Sequence, residues 1–206
     1  MPLPMPLLAV GSFFVLWAFL QTPAGDRVVF ETEKGEIEFQ VDAVRAPTSA
    51  ANFLAYVDRG FYDGGVVIRA VRSDNTIRPD VPIHVIQFWM NAAREGDELP
   101  PIPLERTSVT GLRHLDGTVS MARNGPDTAT ASFSIVIGDQ PEMDFGGRRN
   151  PDGQGFAVFG RVARGSDVVR AIHKSPTGQN GPYKTETLDP PIKVVRAYRR
   201  PPPAGN

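Results

Sequence analysis

Glycine and proline cut this chain at short intervals, and the apolar runs between the cuts are strand-length. There are 20 of each, 40 of 206 residues or about 19%. That is below the roughly 25–30% that marks a low-complexity chain, so the excess reads as turns. Val28–Thr32 leads through Glu33-Lys34-Gly35 into Glu36–Val41, where Ile37, Phe39 and Val41 alternate with polar residues. Period-2 alternation on either side of a Gly-bearing connection predicts a hairpin. Further strands are expected at 66–71, 83–88, 118–122, 133–137, 156–162 and 192–197. Eight short strands of this kind point to one mainly-β domain, a closed antiparallel barrel.

Two segments break the pattern with helical spacing. Pro47 opens a run with Ala51, Leu54 and Val57 on one face and Gly60 past its end, the start-and-stop asymmetry of a helix over 47–59. A second helix is expected from Ser166 to His173, with Ser166 or Asp167 as its cap and Val168, Val169 and Ile172 facing inward. Both helices would cover the barrel's ends. Residues 26–198 form this domain, and 199–206 (Arg199-Arg200, then Pro-rich) read as a solvated tail.

The first 25 residues read as an address. No charged side chain precedes Asp26, and Leu7–Leu20 is an unbroken, mostly apolar run of 14 residues. As a helix it reaches roughly 21 Å, short of the ~30 Å hydrocarbon core. The length suits a secretory signal, and Thr22-Pro23-Ala24 offers a cleavage site. The segment before the run carries no Lys or Arg, so an uncleaved membrane tether through residues 7–20 is the main alternative and a buried core helix a lesser one. A signal or a tether implies an exported protein, periplasmic or facing the periplasm.

Several function classes fall away on composition. With no cysteine, thiolate metal sites, disulfides and cysteine nucleophiles are excluded. Lys and Arg total 22 against 23 Asp and Glu, which removes the counterion-release drive toward nucleic acid. His84, His114 and His173 lack ligand spacing, and the Asp139–Asp144 loop lacks that of a calcium loop, so no metal is expected. Ser132 and Ser134 stand in no Gly-x-Ser-x-Gly elbow, which argues against a hydrolase. The pairs Arg148-Arg149 and Arg199-Arg200 are too short for a nucleic-acid patch.

Five segments in order then carry a resemblance. Ala51-Asn52-Phe53-Leu54-Ala55-Tyr56-Val57 with Gly60-Phe61-Tyr62-Asp63-Gly64, Arg69, Ile86-Gln87, Gly117–Arg123, and Phe156–Val162 followed by Gly165–Val169 are similar to cyclophilins, the cyclosporin-type peptidyl-prolyl cis–trans isomerases. The insertion Ser73–Pro82 and the Gly-Asp-Gln-Pro-Glu and Asn-Pro-Asp-Gly-Gln-Gly segments resemble divergent bacterial members. The resemblance implies an eight-stranded antiparallel barrel capped by two helices, no cofactor, a monomer, and proline-containing polypeptides as substrates during folding.

It also implies roles. Arg69 takes the place of the family's catalytic arginine, and Gln87 that of the glutamine that orients it and bonds the substrate backbone. Around the peptide it puts His84, Val85, Met121, Ala122, Arg123, Ser134, Met143 and Phe156. Met121 and Ala122 keep the family's residues. The others of the proline pocket depart from it: His84-Val85 replaces Phe-Met, Ser134 replaces a Phe, Glu142-Met143 falls at a Trp-Leu pair, and Phe156 replaces a His. Phe88-Trp89 likewise stands where the family has Gly-Gly. The expectation is a weaker or differently selective isomerase. A non-catalytic module docking proline-bearing segments is the main alternative, and a barrel with an unrelated ligand site, such as a saccharide-binding module, is a third.

Overall fold

A computed structural model describes residues 26–201; the proposed signal or tether lies outside the described residues, as do residues 202–206 of the tail. The strands are β1 (Arg27–Thr32), β2 (Gly35–Val41), β3 (Val66–Val71), β4 (Val85–Trp89), β5 (Thr118–Met121), β6 (Phe133–Val136), β7 (Val158–Arg164), β8 (Thr177–Gly178) and β9 (Thr187–Arg200). Pairing runs β1-β2-β7-β5-β6-β4-β3-β9, and β9 returns to β1. Eight strands thus close an antiparallel barrel with no free edge, while β8 pairs only with the start of β9. Strand β9 is longer than expected. It carries Arg199 and Arg200, opposite Val28 and Arg27, so these two belong to the barrel and not to a tail.

The interior is aromatic. Phe30, Phe39, Phe88 and Phe133 come from four strands and Phe53 from α1 (Pro47–Asp58), all buried. Phe88 and Phe133 stack with centroids 4.7 Å apart, and Phe30 meets Phe39 edge-on at 5.2 Å. Such ring pairs add to the burial energy. Helix α1 packs on β7 and β9, and α3 (Ser166–His173) on β2, β3 and β4. A short helix, α2 (Thr107–Thr110), was not expected from the sequence. Nor did the cap of α3 fall where expected. The N-cap is Gly165 in the left-handed region, with no side-chain cap from Ser166 or Asp167. A Cβ at Gly165 would run into the Glu36 carbonyl, so close passage of β2 fixes glycine there.

One irregularity decides where Arg69 points. Val67 pairs with Phe88 and Arg69 with Gln87, so β3 holds one residue more than β4 between those rungs. The same shift appears against β9. By strict alternation Arg69 would share the face of Val67, which lies in the aromatic core. The extra residue, Ile68, reverses the alternation, and the guanidinium is carried to the outside of the barrel.

Candidate active site

Four neighbouring strands now line up one residue each. Ser120 of β5 pairs with Ser134 of β6, Ser134 with Gln87 of β4, and Gln87 with Arg69 of β3. This polar row crosses the outer wall of the barrel and borders a cleft of about 410 Å³. Beside it lies an apolar hollow. Ile83, Val85 and Met143 are buried in one cluster with Val71 and Val136, and the half-buried Phe156 packs against them. The size and mix of lining suit a small ligand group with a few fixed polar contacts.

Arg69 is held on three sides. Its Nε donates to Glu186 Oε2 at 2.8 Å and Nη2 donates to the same oxygen, while Nη1 donates to Gln87 Oε1 at 3.1 Å. The guanidinium lies 4.4 Å from the Tyr183 ring centroid, a cation–π contact. Gln87 is fixed in turn, its Nε2 donating to Ser132 Oγ at 3.0 Å and to the Tyr183 hydroxyl at 3.4 Å. Burial raises the Tyr183 phenol above its ordinary value, with the Arg69 charge opposing, so the hydroxyl stays protonated at neutral pH. An arginine has five N–H bonds, and three are engaged here. Two remain for a ligand, on a side chain 16% exposed.

Glu186 is wholly buried and serves a second group as well, its Oε1 accepting from the backbone N–H of Ile77 at 2.9 Å. The inserted segment 73–82 is thereby tied to the counterion of Arg69. Sequence reasoning missed both Glu186 and Tyr183, which follow Arg69 by more than a hundred residues.

Of the residues expected around the peptide, Val85, Met121, Ala122, Arg123, Ser134, Met143 and Phe156 line the cleft with Arg69 and Gln87. His84 does not. Its Nε2 meets Ser73 Oγ at 3.0 Å and its ring lies 5.8 Å from that of His173. The reason is parity. Val85, Gln87 and Trp89 face the cleft, so Ile83 continues that face and His84 falls on the other.

Arg123 lines the cleft without being free to grip a peptide. Its guanidinium donates to both Asp152 oxygens at 2.7 and 2.9 Å and to the Gly155 carbonyl at 2.8 and 2.6 Å. It thus clips the Gly-rich loop that delivers Phe156, whose ring lies 5.3 Å from Arg123 Cζ. The hydrogen bonds from Arg123 hold the Asp152 carboxyl down to about 2, against an ordinary 3.8. A depressed carboxyl contributes stability above its unfolded value and loses it as pH falls through the folded one. The clip should therefore persist at pH 4 and open as pH approaches about 2. The Asp152 carboxyl and Gly155 amide NMR signals should report that midpoint; one near 3.8 would show that the clip is absent.

Beneath the row, His114 is buried with Nδ1 2.7 Å from Asp144 Oδ1 and Nε2 2.9 Å from Ser120 Oγ. The order Asp-His-Ser matches that of a hydrolytic relay, on a serine the sequence reading did not consider. Ser120 is 1% exposed, and its hydroxyl also lies 3.3 Å from the Ala157 carbonyl. The set ties β5 to the turn that carries Met143.

Comparison with known proteins places this geometry. Residues 27–198 match the sequence model of the cyclophilin type peptidyl-prolyl cis-trans isomerase/CLD family. Peptidyl-prolyl cis-trans isomerase A of Dickeya dadantii is 32% identical over 188 residues, 89% of this chain and 92% of that protein. The isomerase cyp18 of Streptomyces antibioticus is 35% identical over 171 residues, 80% and 93% of the two chains. The fold matches a Cryptosporidium parvum cyclophilin-type isomerase solved in the presence of the dipeptide Ala-Pro, with TM-score 0.65 and 17% identity over 85% of this chain and 99% of that one. Barrel, row of polar side chains and relatives agree: the chain belongs to the cyclophilin-type peptidyl-prolyl cis–trans isomerase family.

Proposed function

We propose that the protein accelerates rotation about X–Pro bonds in polypeptides, as during folding. The observation that carries this reading is a guanidinium fixed by Glu186, Gln87 and Tyr183 at the edge of an apolar hollow, with donors to spare. Amide resonance sets a barrier of about 18–20 kcal/mol. No covalent bond is made or broken, so the protein need only favour the twisted amide over the planar one. The proline ring sits among Ile83, Val85, Met143 and Phe156, and Arg69 donates to the prolyl nitrogen as twisting returns its lone pair. That contact exists only in the transition state, which is where a preorganised cationic donor contributes to rate. The test is the exchange rate of an Ala-Pro peptide by NMR with the purified protein; a rate equal to that in buffer overturns the proposal.

Selectivity follows from the wall of the hollow. Ser134 stands where the resemblance puts a phenylalanine, and burying a Phe-sized group contributes roughly 1.5–3 kcal/mol. Its absence weakens the grip on proline by about 10- to 150-fold relative to a pocket that keeps it. Ser134→Phe should lower KM for an Ala-Pro peptide about tenfold or more. An unchanged KM would mean that Phe156 and Met143 already fill that space. The same serine favours a second reading, a module that docks proline-bearing segments without turnover. Peptide binding with no rate gain would decide for it.

A further inference from the structure

The charge of the cleft is one-sided. Arg69, Arg78, Arg123 and Arg149 line it, and no Asp or Glu among the described residues does, in a chain whose net charge is −1. Three of the four are answered from behind: Arg69 by Glu186, Arg78 by Asp80 at 3.1 Å and Arg123 by Asp152. Arg149 differs. Although it is 8% exposed, its guanidinium makes one hydrogen bond, from Nη1 to the Val81 carbonyl at 3.0 Å, and no ion pair among the described residues. Burial and then the Arg69 charge push its pKa down, and the Glu186 and Asp80 carboxylates, each bonded to another arginine, oppose this only in part. Next to it, Asn150 Nδ2 is buried with no hydrogen-bond partner among the described residues and also lines the cleft. Buried polar groups are nearly always paired, and here adjacent residues hold unused donors. What both lack is an acceptor, and the surrounding arginines favour a charged one.

We propose that Arg149 and Asn150 form an anion subsite beside the proline hollow that selects peptides bearing an anionic side chain near the proline. The inference rests on the proline-peptide reading above and adds a substrate class to it. A guanidinium and an amide on consecutive residues of the cleft wall supply N–H donors of the kind that bind carboxylate or phosphate oxygens. Because the subsite is part of the cleft wall, the anion enters together with the peptide. The preference therefore belongs to the residues flanking proline, not to a remote docking motif.

The test uses peptides that differ only in the residue before or after proline: glutamate, phosphoserine, alanine and lysine. Both kcat/KM and Kd are measured for each. An anionic residue at one of the two positions should exceed alanine by about tenfold and lysine by more, and the advantage should shrink as salt is added. Arg149→Gln should collapse the ratio of anionic to neutral peptide, while Arg149→Lys retains part of it. The glutamate and phosphoserine arms tell carboxylate from phosphate, and a preference for either over alanine supports the subsite. Equal kcat/KM for glutamate, phosphoserine and alanine peptides overturns the inference and leaves the isomerase reading standing. Absence of turnover for every peptide overturns that reading instead. The Kd series then decides the subsite, equal affinities counting against it.

Discussion

Arg69→Ala lowers kcat/KM for an Ala-Pro peptide by about 10²- to 10³-fold, by analogy with the loss when one preorganised donor is removed from an oxyanion hole. Most of the fall should lie in kcat, because the planar substrate leaves the prolyl lone pair in the amide and offers the guanidinium little. Arg69→Lys should recover only part of it. An ammonium keeps the charge but cannot hold Glu186 and Gln87 at once while still presenting donors outward. NMR exchange rates at equal concentrations of folded protein give the comparison. Activity of Arg69→Ala within a factor of about three of the unaltered protein would take the catalytic role from this residue, since so small a change is under 1 kcal/mol.

The second large effect is on stability. Glu186→Ala leaves the mostly buried Arg69 without its counterion, and removing one partner of a buried pair typically costs about 3–5 kcal/mol. The lower half of that range is expected, because the guanidinium is 16% exposed and keeps Gln87. The Ile77 N–H also loses its acceptor, so the inserted segment should loosen along with the arginine. Urea midpoints give the measurement, with the slope checked for constancy. In the double variant with Arg69→Ala the two losses should fall well short of their sum, because neither charge is then stranded. A midpoint unchanged in Glu186→Ala alone would show that solvent already compensates the arginine.

Much of the barrel could be read from residue order. The alternation of Ile37, Phe39 and Val41 identified β2, and Pro47 and Gly60 bracketed α1, because these signals are local and act within a few residues. Arg69 and Gln87 were singled out through their motif neighbours, and the fold brings them together in one cleft. Glu186, Tyr183 and Arg149 were not. They reach the site from distant loops, and no spacing in the chain announces a contact that only barrel closure creates. His84 shows a different limit. In a strand a shift of one position exchanges faces, so a residue-by-residue match can be right about the strand and wrong about the side. Arg199 and Arg200 were misplaced for a third reason. Charge and the following prolines suggested solvent, whereas the edge of β1 required a partner.

The added residue in β3 has a broader implication. A cylinder stuffed with phenylalanine rings has no room for a cation inside, yet its staves must rise directly from that stuffing to hold anything rigidly. A single kink in one stave lets the same short segment anchor in oil on one rung and carry a formal charge on the next. The spacing of that segment is thus more tightly constrained than its chemistry. Changing a side chain there removes that side chain's own contacts, while losing a residue would wind the charge inward and turn the whole working wall out of phase with its neighbours.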